Sequence, residues 1–238
     1  MTSYGQFCPV AKAMELLDER WTILIVRELL LGSRHFNELR RGVPKMSPAL
    51  LTKRLRSLER AGVINRSEVG AGSGASGPKG GTVGGRSVYT LTAMGEELTT
   101  VVEALSAWGI RWIGELGDAD LDPHLLMWDM HRTVPIDRWP RRRTMVQFVF
   151  RDVIGKASTW WLVVAGGEAQ VCDFDPGYEL DVTVVTDLRT LTEIWRGDID
   201  WRLALTSDRV EIHGPAEVAR DVPSWIGQSL TSAIPRPA

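Results

Sequence analysis

The sequence predicts an α+β chain in two parts: a helical, basic first part closed by a strand hairpin, then an acidic part of consecutive strands and helices. Three observations carry that expectation. Charge is unevenly spread, since residues 1–92 hold 14 Lys and Arg against 7 Asp and Glu, a balance of +7, while the remainder carries −9. Apolar residues recur at helical spacing through residues 10–60, and strand-like stretches follow from residue 144. Between two short β-prone stretches of the first part lies GAGSGASGPKGGTVGG (70–85), too rich in Gly and Ser to pack.

With 238 residues the chain can form two modest domains, each with its own core. Unbroken apolar runs, such as Ile23 to Val26, are only a few residues long and too short to span a membrane, and the start MTSYGQFCPVAK shows no secretory signal. Cys8 and Cys172 are too few for a disulfide framework and lack metal-ligand spacing. The expectation is a cytoplasmic protein with no metal and no other cofactor.

Val10, Ala13, Met14 and Leu17 follow helical spacing, and RWTILIVRELLLG is apolar nearly all round, as a central helix should be. Gly32 ends it, and Ser33 is an N-cap candidate for the short helix of HFNELRR, with Phe36 and Leu39 inward and Arg40 and Arg41 outward. After the turn VPKM comes SPALLTKRLRSLERAGVI (47–64). Ser47 caps it, Pro48 suits the first helical position, and Gly62 stops it. Leu51, Leu55 and Leu58 share one face; Ala49, Lys53, Arg56 and Arg60 gather on the opposite one. Two short helices with a tight turn, the second basic outside, predict a helix-turn-helix. Val63 and Ile64 begin a strand and RSVYTLT (86–92) returns it, which makes a winged helix.

These residues resemble the HxlR family of bacterial winged-helix transcription regulators over residues 8–112. The matching features are Cys8-Pro9, Arg20-Trp21 opening the buried helix, Phe36-Asn37-Glu38-Leu39, Ser47-Pro48, the Leu58-Glu59-x-Ala61-Gly62 close and the YTLTAMGEEL element (89–98). The resemblance implies a homodimer that reads a pseudo-palindromic operator on double-stranded DNA. On that reading Ala49, Thr52, Lys53 and Arg56 lie at the major groove, and Arg34, His35, Lys45 and Ser47 lie nearer the phosphates. Arg54 falls on the flank of the helix, and Arg60 complements the helix dipole if it does not meet DNA. The Gly-rich run reads as a wing tip, longer than is usual for the family, with Lys79 and Arg86 available to a phosphate or the minor groove. Its GSGASG fits a dinucleotide fingerprint only literally, because no strand leads in and no helix opens after it.

From Thr92 a helix is expected to run to about Leu116, with Leu98, Val102, Leu105, Trp108, Trp112 and Leu116 near heptad spacing. The family resemblance places this helix in a dimer contact. Some HxlR members sense oxidants through an N-terminal cysteine, which makes Cys8, ahead of Pro9 at a helix start, the redox candidate; structural burial is its ordinary role.

The domain boundaries read from the sequence are 1–116, 117–143 for a linker and helix, and 144–238. Asp122 and Pro123 start a helix with Leu126, Met127 and Met130; RWPRRR (138–143) reads as a solvated loop or a cationic contact. TMVQFVFRDV, STWWLVVAG, EAQVCDFD and ELDVTVVTD read as strands, LRTLTEIW as a helix, RVEIHG as a strand and residues 216–227 as a helix. The Trp160-Trp161 strand, the acidic-Val-Thr-Val strand at 181–184, the Leu-x-x-Ile-Trp-x-Gly helix end and His213-Gly214-Pro215 resemble the sterol-carrier-protein-like fold. That resemblance, over residues 120–230, implies helices over one face of a sheet around an apolar tunnel, hence an apolar small-molecule effector. Trp161, Trp195 and Trp201 are the candidates to line it, against a plain core role for each.

The expected function is therefore a DNA-binding transcriptional regulator modulated by a hydrophobic ligand. The alternative is a lipid-binding or carrier protein whose winged helix serves mainly to dimerise. An enzyme is not expected: His35, His124, His131 and His213 have no metal or triad spacing, and Asp173 and Asp175 read as loop residues.

Overall fold

The computed structural model describes residues 3–69, 86–113 and 116–236. Contacts divide the chain into two units, Met1–Leu105 and Ser106–Ala238. Among the described residues no helix is long and apolar enough to cross a membrane.

The first unit runs α1 (Pro9–Leu17), α2 (Thr22–Leu30), α3 (Phe36–Gly42), α4 (Pro48–Arg60), β1 (Ile64–Val69), β2 (Arg86–Leu91), α5 (Ala93–Glu96) and the start of α6 (Leu98–Trp112). Ile25, Val26 and Leu29 of α2 meet Leu39 of α3 and Leu51, Leu55 and Leu58 of α4 in one buried cluster. Full burial of each such side chain is worth about 1.5–3 kcal/mol, so the leucine period of α4 fixes which face turns inward. Ser47 Oγ accepts from Leu50 N at 3.3 Å, and Gly62 takes φ +78° where the chain leaves the helix. β1 and β2 pair antiparallel from Ile64↔Leu91 to Val69↔Arg86, and His35 adds a short bridge to Val88. The hairpin is tied to the end of α4 by the Thr92 hydroxyl, which donates to Gly62 O at 2.6 Å and accepts from Gly95 N. A Cβ on Gly95 would lie 2.3 Å from Val63 O, so only glycine fits that turn.

Two expectations need correction. His35, not Ser33, is the N-cap of α3: its extended backbone immediately precedes Phe36, and the Ser33 hydroxyl, two residues earlier, donates to Glu28 Oε2 at 3.2 Å. The helix expected from Thr92 to Leu116 is two helices parted at Glu97, and the second ends at Trp112. The Gly-rich run 70–85, with Lys79, lies outside the described residues.

The second unit contains the rest of α6, then α7 (Pro123–Thr133), β3 (Thr144–Phe150), β4 (Thr159–Ala165), β5 (Glu168–Cys172), β6 (Val182–Thr186), α8 (Leu188–Arg196), α9 (Trp201–Thr206), β7 (Val210–His213) and α10 (Ala216–Ile226). The sheet order is β5-β4-β3-β6-β7; β3 and β6 are parallel and the other pairs antiparallel. Val146, Phe148, Phe150, Trp160, Leu162, Val164, Val182 and Val184 share one face by the period of two, and side chains of α7, α8, α9 and α10 complete that core. Aspartates open three of these helices: Asp122 accepts from His124 N and Leu125 N, Asp187 from Thr190 N, and Asp200 from Leu203 N. α9 is absent from the sequence expectation because, at six residues, it is too short to show a period.

Candidate nucleic-acid interface

The cap and the leucine stripe of α4 together dictate what the helix shows to solvent. Ala49, Lys53, Arg56 and Arg60 are exposed on the side away from Leu51, Leu55 and Leu58. Thr52 is half-buried, and its hydroxyl donates to Pro48 O at 2.9 Å. Arg60 Nε turns back to Arg56 O at 3.3 Å. Lys45 and Ser47 are exposed at the entry to the helix. The cations of α4 do not all behave alike: the Arg54 side chain is only 11% exposed and is paired with Glu19.

The residues placed nearer the phosphates divide. Arg34 is drawn onto its own protein, Nη1 donating to Leu29 O at 2.6 Å and to Ser33 O at 3.2 Å, which closes the last turn of α2. His35 is half-buried; its N–H donates to Glu38 Oε2 at 2.9 Å and its Nδ1 lies 3.4 Å from Ser87 O. Glu38 also accepts from Arg34 N at 2.7 Å, so one carboxylate satisfies two amides at the start of α3. For Arg86 only the backbone, at the start of β2, is described. Arg66 on β1, which no sequence motif marks, is also exposed, with Nε donating to Ser87 Oγ at 3.1 Å. A pocket of about 460 Å³ opens between α3 and β2, lined by His35, Phe36, Asn37, Arg41, Ser87 and Tyr89 among others.

Cys8 is the half-buried N-cap of α1, and its carbonyl accepts from Lys12 N at 3.0 Å. In the second unit the three tryptophans do not come together. Trp195 and Trp201 pack at the edge of the core, whereas Trp161 alternates with the core residues Trp160 and Leu162 and so lies on the opposite face of the sheet. That corrects the expectation for Trp161, since the strand's period sends Trp160 inward instead. Trp195 Nε1 donates to Thr133 Oγ1 at 3.2 Å, while Trp201 Nε1 is buried with no hydrogen-bond partner among the described residues. In the RWPRRR run, Arg142 pairs with Asp181 at 2.6 Å, which holds its guanidinium above the ordinary arginine range, and Arg143 lies 4.2 Å over the ring of Tyr178. Those two cations are engaged by their own unit.

A short helix, a tight turn, a second helix with a cationic outer face and an adjoining two-stranded wing define a winged helix-turn-helix protein. The profile of the HxlR-like helix-turn-helix family matches residues 16–116. The HTH-type transcriptional regulator sll1512 of Synechocystis is 37% identical over 109 residues, 46% of this chain and 73% of that protein. YvaP, an HTH-type transcriptional regulator of Bacillus subtilis, is 34% identical over 110 residues, 46% of this chain and 92% of its own length. The solved reduced form of the Bacillus subtilis transcriptional regulator YodB is 30% identical, with 48% of this chain and 100% of that chain covered and a TM-score of 0.35. On the sequence matches, the chain belongs to the HxlR-like helix-turn-helix family and is a DNA-binding transcriptional regulator.

Proposed function

We propose that the protein reads a pseudo-palindromic operator as a homodimer, inserting α4 of each copy into the major groove. The observation that carries this reading is the outward set Ala49, Lys53, Arg56 and Arg60 on a helix whose other face is locked into the core. Arg56 and Lys53 give charge and hydrogen-bond donors to the groove, and Ala49 allows close approach. Arg66 and Lys45 are further donors at the edges of that surface.

The dimer reading rests on α6. Val101, Leu105, Trp108 and Trp112 are spaced by four, three and four residues and are 41–61% exposed in the single chain. Such a stripe has the geometry of a helix-to-helix seam, and a second copy would remove it from water. α1 likewise has no fully buried side chain, with Val10 and Met14 exposed.

The second unit is an effector domain of sterol-carrier-protein-like kind, with one covered sheet face and four helices over it. Its ligand is an apolar chain with a hydrogen-bond-accepting head, as in a fatty acid, and enters at the edge marked by Trp195 and Trp201. Support comes from the indole N–H of Trp201, a buried donor with no acceptor among the described residues. A ligand alters DNA binding by favouring one dimer geometry over another.

The test is a fluorescence-anisotropy titration of the full chain against a labelled duplex selected by the protein from random DNA, repeated from 50 to 200 mM salt. Operator binding through several cations falls steeply with salt, log K dropping by about 0.9 per phosphate contact for each decade. Salt-insensitive binding of dodecanoate with no duplex binding would favour the carrier reading instead.

A further inference from the structure

Arg54 occupies a place on α4 unlike that of the other cations. At 3.6 residues per turn it lies about 60° around the helix from Leu51, at the rim of the core, while Lys53, Arg56 and Arg60 lie far round on the outer side. Its side chain is 11% exposed. One guanidinium nitrogen is ion-paired with the Glu19 carboxylate, and Nε donates to Arg20 O at 3.3 Å. Both partners belong to the turn between α1 and α2.

That turn is a rigid anchor. Thr22 N donates to Glu19 O at 3.0 Å, and Trp21 holds φ +79°, a left-handed conformation that a bulky side chain rarely adopts. The Arg20 guanidinium lies 5.3 Å over the Trp21 ring. Arg54 is therefore fastened to two consecutive residues, Glu19 and Arg20, of a turn whose backbone is held by the Thr22–Glu19 hydrogen bond.

We propose that Glu19 and Arg54 form a clip that sets the roll of the recognition helix, making both of them positioning residues for DNA binding. The leucine contacts of α4 fix which face turns inward but, being non-directional, constrain a small roll about its axis less sharply. A directed ion pair at the rim resists it. With side chains reaching about 5–6 Å from the axis, a roll of about 10° moves their tips by about 1 Å, enough to misplace donors aimed at base edges. Glu19 matters here through its pairing alone.

The proposal rests on α4 being the recognition helix, and it makes a prediction opposite in sign to simple electrostatics. Removing a carboxylate from a DNA-binding surface ordinarily tightens binding. Glu19→Gln in the full chain should instead weaken binding to the selected duplex by about three- to tenfold, with the salt slope unchanged because no phosphate contact is lost. Arg54→Gln should do the same, and the double variant should bind no more weakly than Arg54→Gln alone, since the pair acts as a unit. Circular dichroism at the assay temperature checks that each variant is folded, and the half-exposed Glu19 (52%) leaves room for the neutral isostere.

Equal or tighter binding by Glu19→Gln overturns the clip. So do additive losses in the double variant, or a salt slope in Arg54→Gln flatter by about one, which would make Arg54 a phosphate contact. The premise fails separately: if Lys53→Ala with Arg56→Ala binds as the parent does, α4 is not the reading helix.

Discussion

Gly42 sits so close to Glu28 that a methyl group on its α-carbon would lie 1.8 Å from the carboxylate carbon. Glu28 is fully buried, with Oε1 accepting from Arg27 Nη2 at 2.7 Å and Oε2 from the Ser33 hydroxyl at 3.2 Å. Arg27 Nη2 also reaches Gly42 O at 3.2 Å, so an ion pair between a half-buried arginine and a buried glutamate holds the end of α3 against α2. A side chain at Gly42 would push the carboxylate off these partners and leave a buried charge poorly paired. Gly42→Ala should therefore lower stability by about 1–3 kcal/mol. Urea unfolding reads this as a lower midpoint with an unchanged slope, and a parental midpoint would refute it.

The α6 stripe makes a prediction about assembly. Trp108→Arg together with Trp112→Arg places two cations where a second copy would pack, at positions 54% and 61% exposed in the single chain, so folding should be spared. Sedimentation velocity should show a dimer for the parent and a monomer for the variant. Operator affinity should fall with it, because one half-site then has to hold alone.

Trp201 separates a structural tryptophan from a ligand-binding one. Its buried N–H has no acceptor among the described residues, so Trp201→Phe should leave the unfolding temperature of ligand-free protein unchanged or higher. The same change should weaken dodecanoate binding about five- to tenfold, followed by quenching of the remaining tryptophans. Unaltered affinity would remove Trp201 from the ligand's path.

Much of this could be read in the sequence where local chemistry and packing agree. The Ser47-Pro48 start, the leucine period and Gly62 fix α4 and its outer face because cap, pattern and stop all point the same way. The pair Trp160-Trp161 shows where such reading ends. A period of two says that one ring faces the core without saying which, and apolar Val163 beside Leu162 and Val164 hides the alternation; pairing of Leu162 with Val146 of β3 decides it. Ser33 is not the cap because the helix starts only at Phe36, and the Ser33 hydroxyl donates instead to a buried glutamate five residues earlier. Arg54 was legible only as a flank position. Its partner, Glu19, is 35 positions away along the chain, and no periodicity carries that information.

The account stands most directly on what the outer face of α4 does. In an anisotropy titration at fixed salt with the selected duplex, Lys53→Ala combined with Arg56→Ala should raise the Kd at least about tenfold, with far-UV dichroism and dimer sedimentation as in the parent. A folded, dimeric double variant that binds the duplex with parental affinity would contradict it.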